Sequence, residues 1–277
     1  MDGFDADART LSLFLERHPR TVVLTGAGVS ASSGIPTYRD NKGSWLPDKP
    51  IDHQSFLSDE RIRRRYWARS WHGWPVIRDA LPNTAHIALA KLERLRHIDL
   101  LITQNVDRLH QRAGSRNVID LHGRLDRVQC LKCECFHSRD AIQQQLNSNN
   151  HREHRTAHIA RPDGDMDTEE KVPSDLVLPC CPACGGDLKP DVVLFGGNVP
   201  KTRVAACMHA LDNADALVAV GSSLMVYSGF RFCRRASQRG IPLLIINPGI
   251  TRADSLARIK LNTQAGPLLQ SALSHMS

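Results

Sequence analysis

Two pairs of cysteines are spaced so that each pair can offer two thiolates from one tight turn. Cys130 and Cys133 form the first Cys-x-x-Cys pair, and Cys181 and Cys184 form the second. Four thiolates complete a tetrahedral zinc site that has no open position, so a structural zinc ion is expected. The pairs lie further apart than the usual ribbon spacing of roughly 15–20 residues, which predicts an insertion at about 139–174.

Other interpretations of these cysteines are weaker. Cys180 could replace Cys181 as a ligand, but the second spacing would then become Cys-x-x-x-Cys, and we prefer Cys181. Unrelated buried thiols are less expected when two such pairs occur in one chain. A disulfide framework is not expected, because the acidic N-terminus does not resemble a secretory signal.

A glycine-rich turn follows the first apolar run of the chain. Gly26, Ala27 and Gly28 come directly after Thr21–Thr25. Glycines let a backbone approach a pyrophosphate, and N–H groups at a helix start bind its charge. Ala31 occupies the third glycine position of G-x-G-x-x-G, and no acidic residue lies about 20 residues later to bind an adenosine ribose. The turn predicts a dinucleotide bound in an unusual way; a simple strand–helix turn would be a competitive interpretation if this loop stood alone.

Continuous apolar runs alternate with helical patterns along the rest of the chain, and most of these runs end in Gly, Ser, Asn, Asp or His. Such strands indicate a parallel sheet that is covered on both faces, which is an α/β fold. The carboxyl ends of parallel strands lie along one edge, so the polar residues are expected to meet in one ligand crevice. The predicted strands are 21–25, 98–103, 117–121, 192–195, 216–220 and 241–246.

Several motifs in this order resemble the sirtuins, a family of NAD-dependent protein-lysine deacylases. They are Gly26–Arg39, Thr103–Asp107, Leu121–Gly123, the two cysteine pairs, Lys189–Val193, Gly221–Ser223 and Asn247. The resemblance implies a Rossmann-like parallel sheet domain with a small zinc-ribbon and helical module inserted. It points to the class II branch through Arg65–Arg69, Gly73–Pro75, the long insertion and Val226–Gly229.

The resemblance also divides the chain into two parts. The large Rossmann-like part is expected at 1–40, 83–127 and 188–277. The small module is expected at 41–82, where it is helical, and at 128–187, where it forms the zinc ribbon with its insertion.

The resemblance implies a set of NAD-binding residues. Gly26, Ala27 and Gly28 would bind the pyrophosphate, while Asp107 would hold the carboxamide of nicotinamide. Ala265 stands where relatives often have cysteine, near the adenine. The full set of expected cofactor contacts is Gly26, Ala27, Gly28, Pro36, Tyr38, Arg39, Gln104, Asn105, Val106, Asp107, Gly221, Ser222, Ser223, Asn247, Pro248, Gly249 and Ala265.

The resemblance makes His122 the general base, with Asn105 as the second catalytic residue. The implied reaction transfers the acyl group of acyl-lysine to ADP-ribose and releases nicotinamide. An ordinary imidazole pKa near 6.5 suits proton removal at neutral pH. A random member of the 13 histidines would more often be a surface or hydrogen-bonded residue. His122 differs because it ends a predicted strand at the ligand edge.

The acyl group that is removed depends on a further pair of residues. Tyr66 and Arg69 lie three apart on one face of the helix predicted at 60–71. A guanidinium beside a phenol could bind an acyl carboxylate through a forked pair of hydrogen bonds. The hypothesis is a preference for acidic acyl groups, such as glutaryl-type chains. An ordinary surface arginine and a half-buried tyrosine are an equally good interpretation.

Charge and composition exclude several other classes. The net charge of +7 comes from scattered basic residues, and the aromatic content of 5% is low for a nucleic-acid-binding module. We therefore expect no specific nucleic-acid binding. The resemblance implies acyl-lysine proteins or peptides as substrates, and we expect a cytoplasmic monomer that does not bind membranes. The alternatives are a protein ADP-ribosyltransferase that uses the same NAD site, a non-catalytic zinc-dependent binding module, and a conventional NAD oxidoreductase.

Overall fold

The computed structural model describes residues 3–38, 51–150 and 175–276, together with the backbone of 159–160 and 166–167. The helices are α1 (Gly3–Arg17), α2 (His53–Ser58), α3 (Glu60–Asp79), α4 (Thr84–Arg94), α5 (Leu109–Arg112), α6 (Arg139–Asn149), α7 (Lys201–Asp212), α8 (Tyr227–Gln238) and α9 (Ala265–Ser274). The strands are β1 (Thr21–Thr25), β2 (Leu100–Thr103), β3 (Val118–Asp120), β4 (Gly123–Cys130), β5 (Phe136–Ser138), β6 (Ile159–Ala160), β7 (Met166–Asp167), β8 (Leu188–Val192), β9 (Ala216–Val220), β10 (Leu243–Ile246) and β11 (Ile259–Leu261).

A six-stranded parallel sheet forms the larger part of the fold, with the strand order β11-β10-β9-β1-β2-β3. The central strand β1 is buried on both faces. Val23 packs with α1, α4 and α9 on one face, whereas Val22 and Leu24 pack with α7 and α8 on the other. This alternation explains why the strand reads as a continuous apolar run. The predicted α/β fold class with a parallel sheet is confirmed.

One predicted strand of this sheet is wrong. The run 192–195 does not join the parallel sheet; β8 ends at Val192 and pairs antiparallel with β4. The sixth parallel strand is instead β11, which pairs with β10. β11 was not predicted from the sequence because it is a three-residue edge strand whose side chains are mostly half-buried. Its pattern therefore lacks the apolar run that marked the other strands.

A smaller antiparallel sheet, with the order β5-β4-β8, packs against α3 and α6. Trp67 on α3 is 1% exposed and lies at the centre of this second core. Helix α3 is longer than predicted, because Pro75 is accommodated inside it and the helix continues to Asp79. Helix α6 begins the predicted insertion, and it buries one face that includes Ile142 and Leu146. The rest of the insertion is mostly outside the described residues. The division of the chain into large and small parts stays a prediction.

Candidate functional site

A cavity of about 690 Å³ opens at the carboxyl ends of the parallel strands. The glycine turn forms one wall, where the N–H of Gly28 donates to the carbonyl of Gly221 at 2.9 Å. A Cβ atom on Gly28 would lie 2.8 Å from that carbonyl oxygen, and one on Gly26 would lie 2.7 Å from the Cβ of Ser222. Only glycine therefore allows the two turns to approach so closely. The turn continues into short 3₁₀ segments at Ala27–Val29 and Ala31–Ser33, and not into the expected α-helix start.

The structure brings most of the residues expected from the sequence into this one cavity. Those that line it are Gly26, Ala27, Gly28, Tyr38, Gln104, Asn105, Val106, Asp107, His122, Gly221, Ser222, Ser223, Asn247, Pro248 and Ala265. Pro36 and Gly249 are described but do not line it, although the Gly249 carbonyl accepts a hydrogen bond from the Asn247 side chain. Arg39 lies outside the described residues.

His122 is held at both ring nitrogens. Nδ1 lies 2.9 Å from the main-chain oxygen of Gln104, and Nε2 lies 2.7 Å from Oγ of Ser228. A carbonyl oxygen only accepts, so Nδ1 carries the proton and Nε2 carries the lone pair. Burial lowers the pKa of His122 to about 4, with smaller contributions from Arg203 and Arg231. The ordinary value near 6.5 assumed from the sequence is therefore wrong, and the imidazole is neutral at pH 7.

A buried polar network fixes the side chains beside the glycine turn. Ser30 donates from Oγ to Oδ2 of Asp107 at 2.7 Å and accepts from Nδ2 of Asn105 at 3.0 Å. Asp107 also accepts from the N–H of Leu109, while burial raises the pKa of its carboxyl group. Because Asn105 uses its Nδ2 on Ser30, its Oδ1 remains as an acceptor for a hydroxyl or a water.

Two buried histidines, His86 and His110, pack next to this network. The N–H of Asn83 donates to Nδ1 of His86, whose Nε2 lies 3.4 Å from Oγ of Ser30. Nε2 of His110 lies 2.9 Å from Oγ1 of Thr25. Burial lowers the pKa of His86 to about 4, and it lowers that of His110 well below its ordinary value. Both rings are therefore neutral, and they connect α4 to Ser30 beside the turn and α5 to the end of β1.

The four cysteines of the two Cys-x-x-Cys pairs converge at one point of the small antiparallel sheet. The sulfur atoms of Cys130, Cys133, Cys181 and Cys184 all lie within 4.8 Å of one another. Tetrahedral zinc with Zn–S bonds of about 2.3 Å requires sulfur atoms about 3.8 Å apart, so the donor set fits a structural zinc ion. Backbone N–H groups lower the pKa of the Cys130 thiol, whereas the neighbouring cysteine sulfurs raise the pKa values of Cys133 and Cys184. Binding of zinc by all four thiolates would therefore release protons.

The turns around this site use glycine for two different reasons. Gly185 adopts a left-handed φ of 69°, which favours glycine. Gly186 leaves space that a Cβ would fill, since that atom would lie 3.1 Å from Sγ of Cys130. Cys135 and Cys180 do not belong to the cluster.

Tyr66 and Arg69 are not among the described residues that line the cavity. Each is 3% exposed and belongs to the buried side of α3, and Tyr66 packs in the second core, beside Trp67. Their expected role in binding an acyl carboxylate stays a prediction, but neither the surface position of Arg69 nor the half-buried position of Tyr66 is found.

Comparison with known proteins identifies the family. The model of the family described as "Sir2 family" matches residues 26–228. The chain belongs to the Sir2 family.

Curated relatives cover nearly the whole of this Sir2 chain. An NAD-dependent protein deacetylase of Bordetella bronchiseptica is 48% identical over 274 residues, which is 99% of this chain and 100% of that protein. An NAD-dependent protein deacetylase 2 of Bradyrhizobium diazoefficiens is 52% identical over 91% of this chain and 93% of that protein. The NAD-dependent protein deacylase Sirt4 of Drosophila melanogaster is 42% identical over 95% of this chain and 85% of that protein.

Solved structures agree with the family and the fold. A Sir2 structure with a p53 peptide and NAD+ has a TM-score of 0.75 and 30% identity, and the match covers 96% of this chain and 97% of that one. Sir2Tm bound to a propionylated peptide has a TM-score of 0.76 and 31% identity, over 96% and 97% of the two chains. Among the described residues of the Sir2 chain, no helix is both long and apolar enough to cross a membrane.

The cavity of this Sir2 protein is also lined by residues that the sequence analysis did not assign to the site, and three of them, Ser30, Ser228 and Arg231, bear on its chemistry. The sequence analysis included Ser30 and Ser228 only as parts of motifs, and it did not assign any role to Arg231. The motif Val226–Gly229 was the available signal for Ser228. Arg231 follows it by one helical turn, and this could have been inferred once α8 was assigned.

Proposed function

We propose that this chain is an NAD-dependent protein-lysine deacylase, which transfers the acyl group of acyl-lysine to ADP-ribose with release of nicotinamide. The observation that carries the proposal is the position of His122, whose Nε2 lone pair faces the same cavity that the Gly26–Gly28 turn lines. The curated relatives named NAD-dependent protein deacetylase support it, since they match over nearly the full length.

In this proposal some residues of the chain bind NAD, and others transfer a proton. NAD, when bound, supplies a glycosidic bond that breaks as nicotinamide leaves. Gly26, Ala27 and Gly28 would hold its pyrophosphate, and no charged side chain of the turn is needed because backbone N–H groups bind phosphate. Asp107, fixed by Ser30, would bind the carboxamide.

His122 would accept a proton at Nε2 from a hydroxyl in the cavity. Its neutral form is the one present at neutral pH, because burial holds its pKa at about 4. The Nδ1–H bond to Gln104 keeps the tautomer that this step needs. Asn105 would accept a hydrogen bond at Oδ1 from a hydroxyl or a water beside the base.

The proposal includes several finer predictions. The branch is class II, which the 42% identity to the Drosophila Sirt4 supports. The chain acts in the cytoplasm as a monomer on acyl-lysine proteins, without nucleic acid. Sedimentation of the purified protein at micromolar concentration tests the monomer, and a stable dimer would contradict it.

The reaction is tested by incubating the protein with NAD and a panel of acyl-lysine peptides. We expect release of nicotinamide together with loss of the acyl group from the peptide, both followed by mass spectrometry. A gain of ADP-ribose on the protein or peptide without loss of the acyl group would instead support the ADP-ribosyltransferase. No release of nicotinamide from any peptide would contradict the enzyme.

A further inference from the structure

Three guanidinium groups close to the cavity pair with no carboxylate of the described residues. They belong to Arg231, Arg234 and Arg252, which we call the arginine rim. Within the described ranges 3–38, 51–150 and 175–276, no carboxylate oxygen lies within 4.0 Å of their nitrogen atoms. Arg235 on the same helix α8 differs, because it pairs with Asp212 at 2.8 Å. The rim is therefore a local excess of positive charge.

Aromatic rings and a carbonyl hold the rim in place. The guanidinium carbons of Arg231 and Arg234 lie 5.1 and 5.3 Å from the ring centroid of Tyr227, which is 43% exposed. That of Arg252 lies 4.4 Å from the centroid of Phe230, and its Nη1 donates to the carbonyl of Met225. Cation–π contacts of this kind orient a guanidinium but leave its charge available to an anion.

The rim adjoins the reacting end of the cavity. Arg231, Tyr227 and Met225 line the cavity, together with Ser228 and His122. Nε of Arg231 is buried and has no hydrogen-bond partner among the described residues. The cavity offers no neutralising group there, because Asp107 is the sole carboxyl group among its described lining residues and is already bound by Ser30 and Leu109. Positive charge near His122 is thus left for a ligand to compensate.

We propose that the arginine rim binds acidic side chains that flank the acyl-lysine of a substrate protein. The inference rests on the proposed deacylase function and adds a sequence preference to it. A guanidinium pairs with a carboxylate through two parallel hydrogen bonds, which makes carboxylates the fitting partners. Nucleic acid fits less well, because its affinity grows with the number of phosphates that cations neutralise, and the rim offers only three guanidinium groups.

The test compares acetyl-lysine peptides that differ only in their flanking residues. One peptide carries two Glu residues on each side of the acetyl-lysine, and the other carries Gln at the same four positions. We expect kcat/KM for the Glu peptide to exceed that for the Gln peptide by about tenfold at low salt. The ratio should fall towards one at about 0.5 M salt, because exposed charges are screened.

Substitution at the rim separates this effect from overall charge. In Arg231→Gln/Arg234→Gln the Glu-to-Gln ratio should fall to about twofold or less. The matched control is Arg17→Gln/Arg94→Gln, which removes the same charge from exposed positions on α1 and α4 that do not line the cavity. The control should keep the wild-type ratio. An equal loss of the ratio in both variants, or a wild-type ratio of one, would overturn the proposal.

Additional measurements assign the carboxylate and separate this proposal from the function. If the rim variant alters the preference for glutaryl-lysine over acetyl-lysine in the Gln peptide, but not the Glu-to-Gln ratio, the carboxylate belongs to the acyl group and the proposal fails. Binding of both fluorescent peptides is measured by anisotropy without turnover. Tighter binding of the Glu peptide without any deacylation would support the acidic-peptide site at the arginine rim but contradict the proposed deacylase function. A single-stranded oligonucleotide could also displace the Glu peptide. If it did so at a lower concentration of phosphate charges than the concentration of carboxylates needed from unlabelled Glu peptide, the proposal of an acidic protein partner would be overturned.

Discussion

Nε2 of His122 and Oγ of Ser228 lie 2.7 Å apart, so a residue in the first turn of α8 is hydrogen-bonded to the proposed base. The opposite nitrogen donates to Gln104, which leaves Nε2 as the acceptor of the serine hydroxyl. A ligand hydroxyl that reaches Nε2 must therefore take the place of the Ser228 hydroxyl. The base is pre-oriented before any ligand arrives, which reduces the entropy cost of the catalytic geometry.

Removal of the base should abolish most turnover without unfolding the chain. For His122→Ala we expect a loss of about 10²–10⁴-fold in deacylation, which is the usual contribution of general-base catalysis. Deacylated peptide is measured by mass spectrometry, and circular dichroism checks the fold. His209→Ala, an exposed histidine on α7, is the matched control. Unchanged turnover in His122→Ala would remove this residue from the role.

The zinc site should be necessary for the small module. Cys133→Ser removes one of four thiolates, so the purified protein should lose its stoichiometric zinc and unfold at a lower temperature. Zinc is measured by elemental analysis, and unfolding is measured by calorimetry. Cys135→Ser is the control, because this exposed cysteine lies only two positions after Cys133 in the sequence but does not belong to the cluster. Equal zinc content in both variants would contradict the assigned ligands.

The glycine turn should tolerate no side chain. In Gly28→Ala the new Cβ would lie 2.8 Å from the carbonyl oxygen of Gly221, so one of the two turns must move. We expect binding of NAD to weaken by about tenfold or more, since backbone N–H groups must point at the phosphates. Calorimetric titration with NAD measures this. Gly3→Ala is the control, because nothing lies within 4 Å of its Cβ position. NAD binding at wild-type strength in Gly28→Ala would contradict the pyrophosphate role.

The acyl preference tests the predicted role of Tyr66 and Arg69. If they bind an acyl carboxylate, Arg69→Ala should lower the ratio of deglutarylation to deacetylation. Because Arg69 is buried, its removal will also cost stability, and Tyr66→Phe serves as the milder second variant. That change removes a hydroxyl and keeps the ring packed against Phe56 and Trp67. A ratio unchanged in both variants would end this hypothesis.

Buried neutral histidines should make the protein sensitive to acid. The pKa of His86 is about 4 in the folded protein and near 6.5 when unfolded, because burial disfavours the charged ring. Below pH 6.5 the unfolded chain binds the proton and the folded chain does not, so stability falls as the pH drops from about 6.5 to 4. The full effect for one such histidine is roughly 3 kcal/mol. Urea unfolding at several pH values measures it.

A substitution can assign part of this pH dependence. His86→Gln retains a polar side chain but removes the titration, so stability should vary less with pH between 6.5 and 4 than in the wild type. His122 and His110 would contribute the remaining dependence, since burial lowers the pKa of both. An identical slope in wild type and His86→Gln would show that His86 does not titrate in the unfolding transition.

The sequence by itself determined the features that depend on local pattern and spacing. The buried strand 21–25 and the cysteine pairs could be predicted directly, because burial on two faces and zinc ligation each demand particular residue types within a few positions. The sirtuin resemblance followed from the order of such motifs.

Only the tertiary structure decided what depends on contacts between distant segments. It showed that the run 192–195, predicted as a parallel strand, does not join the parallel sheet and that residues 188–192 instead pair antiparallel with β4, since strand pairing is not encoded within a single segment. It buried Tyr66 and Arg69 in a core, lowered the pKa of His122 by enclosing it, and set Ser228 against its Nε2 from 106 positions along the chain. Desolvation and long-range hydrogen bonds arise from packing, so no local pattern in the sequence reports them.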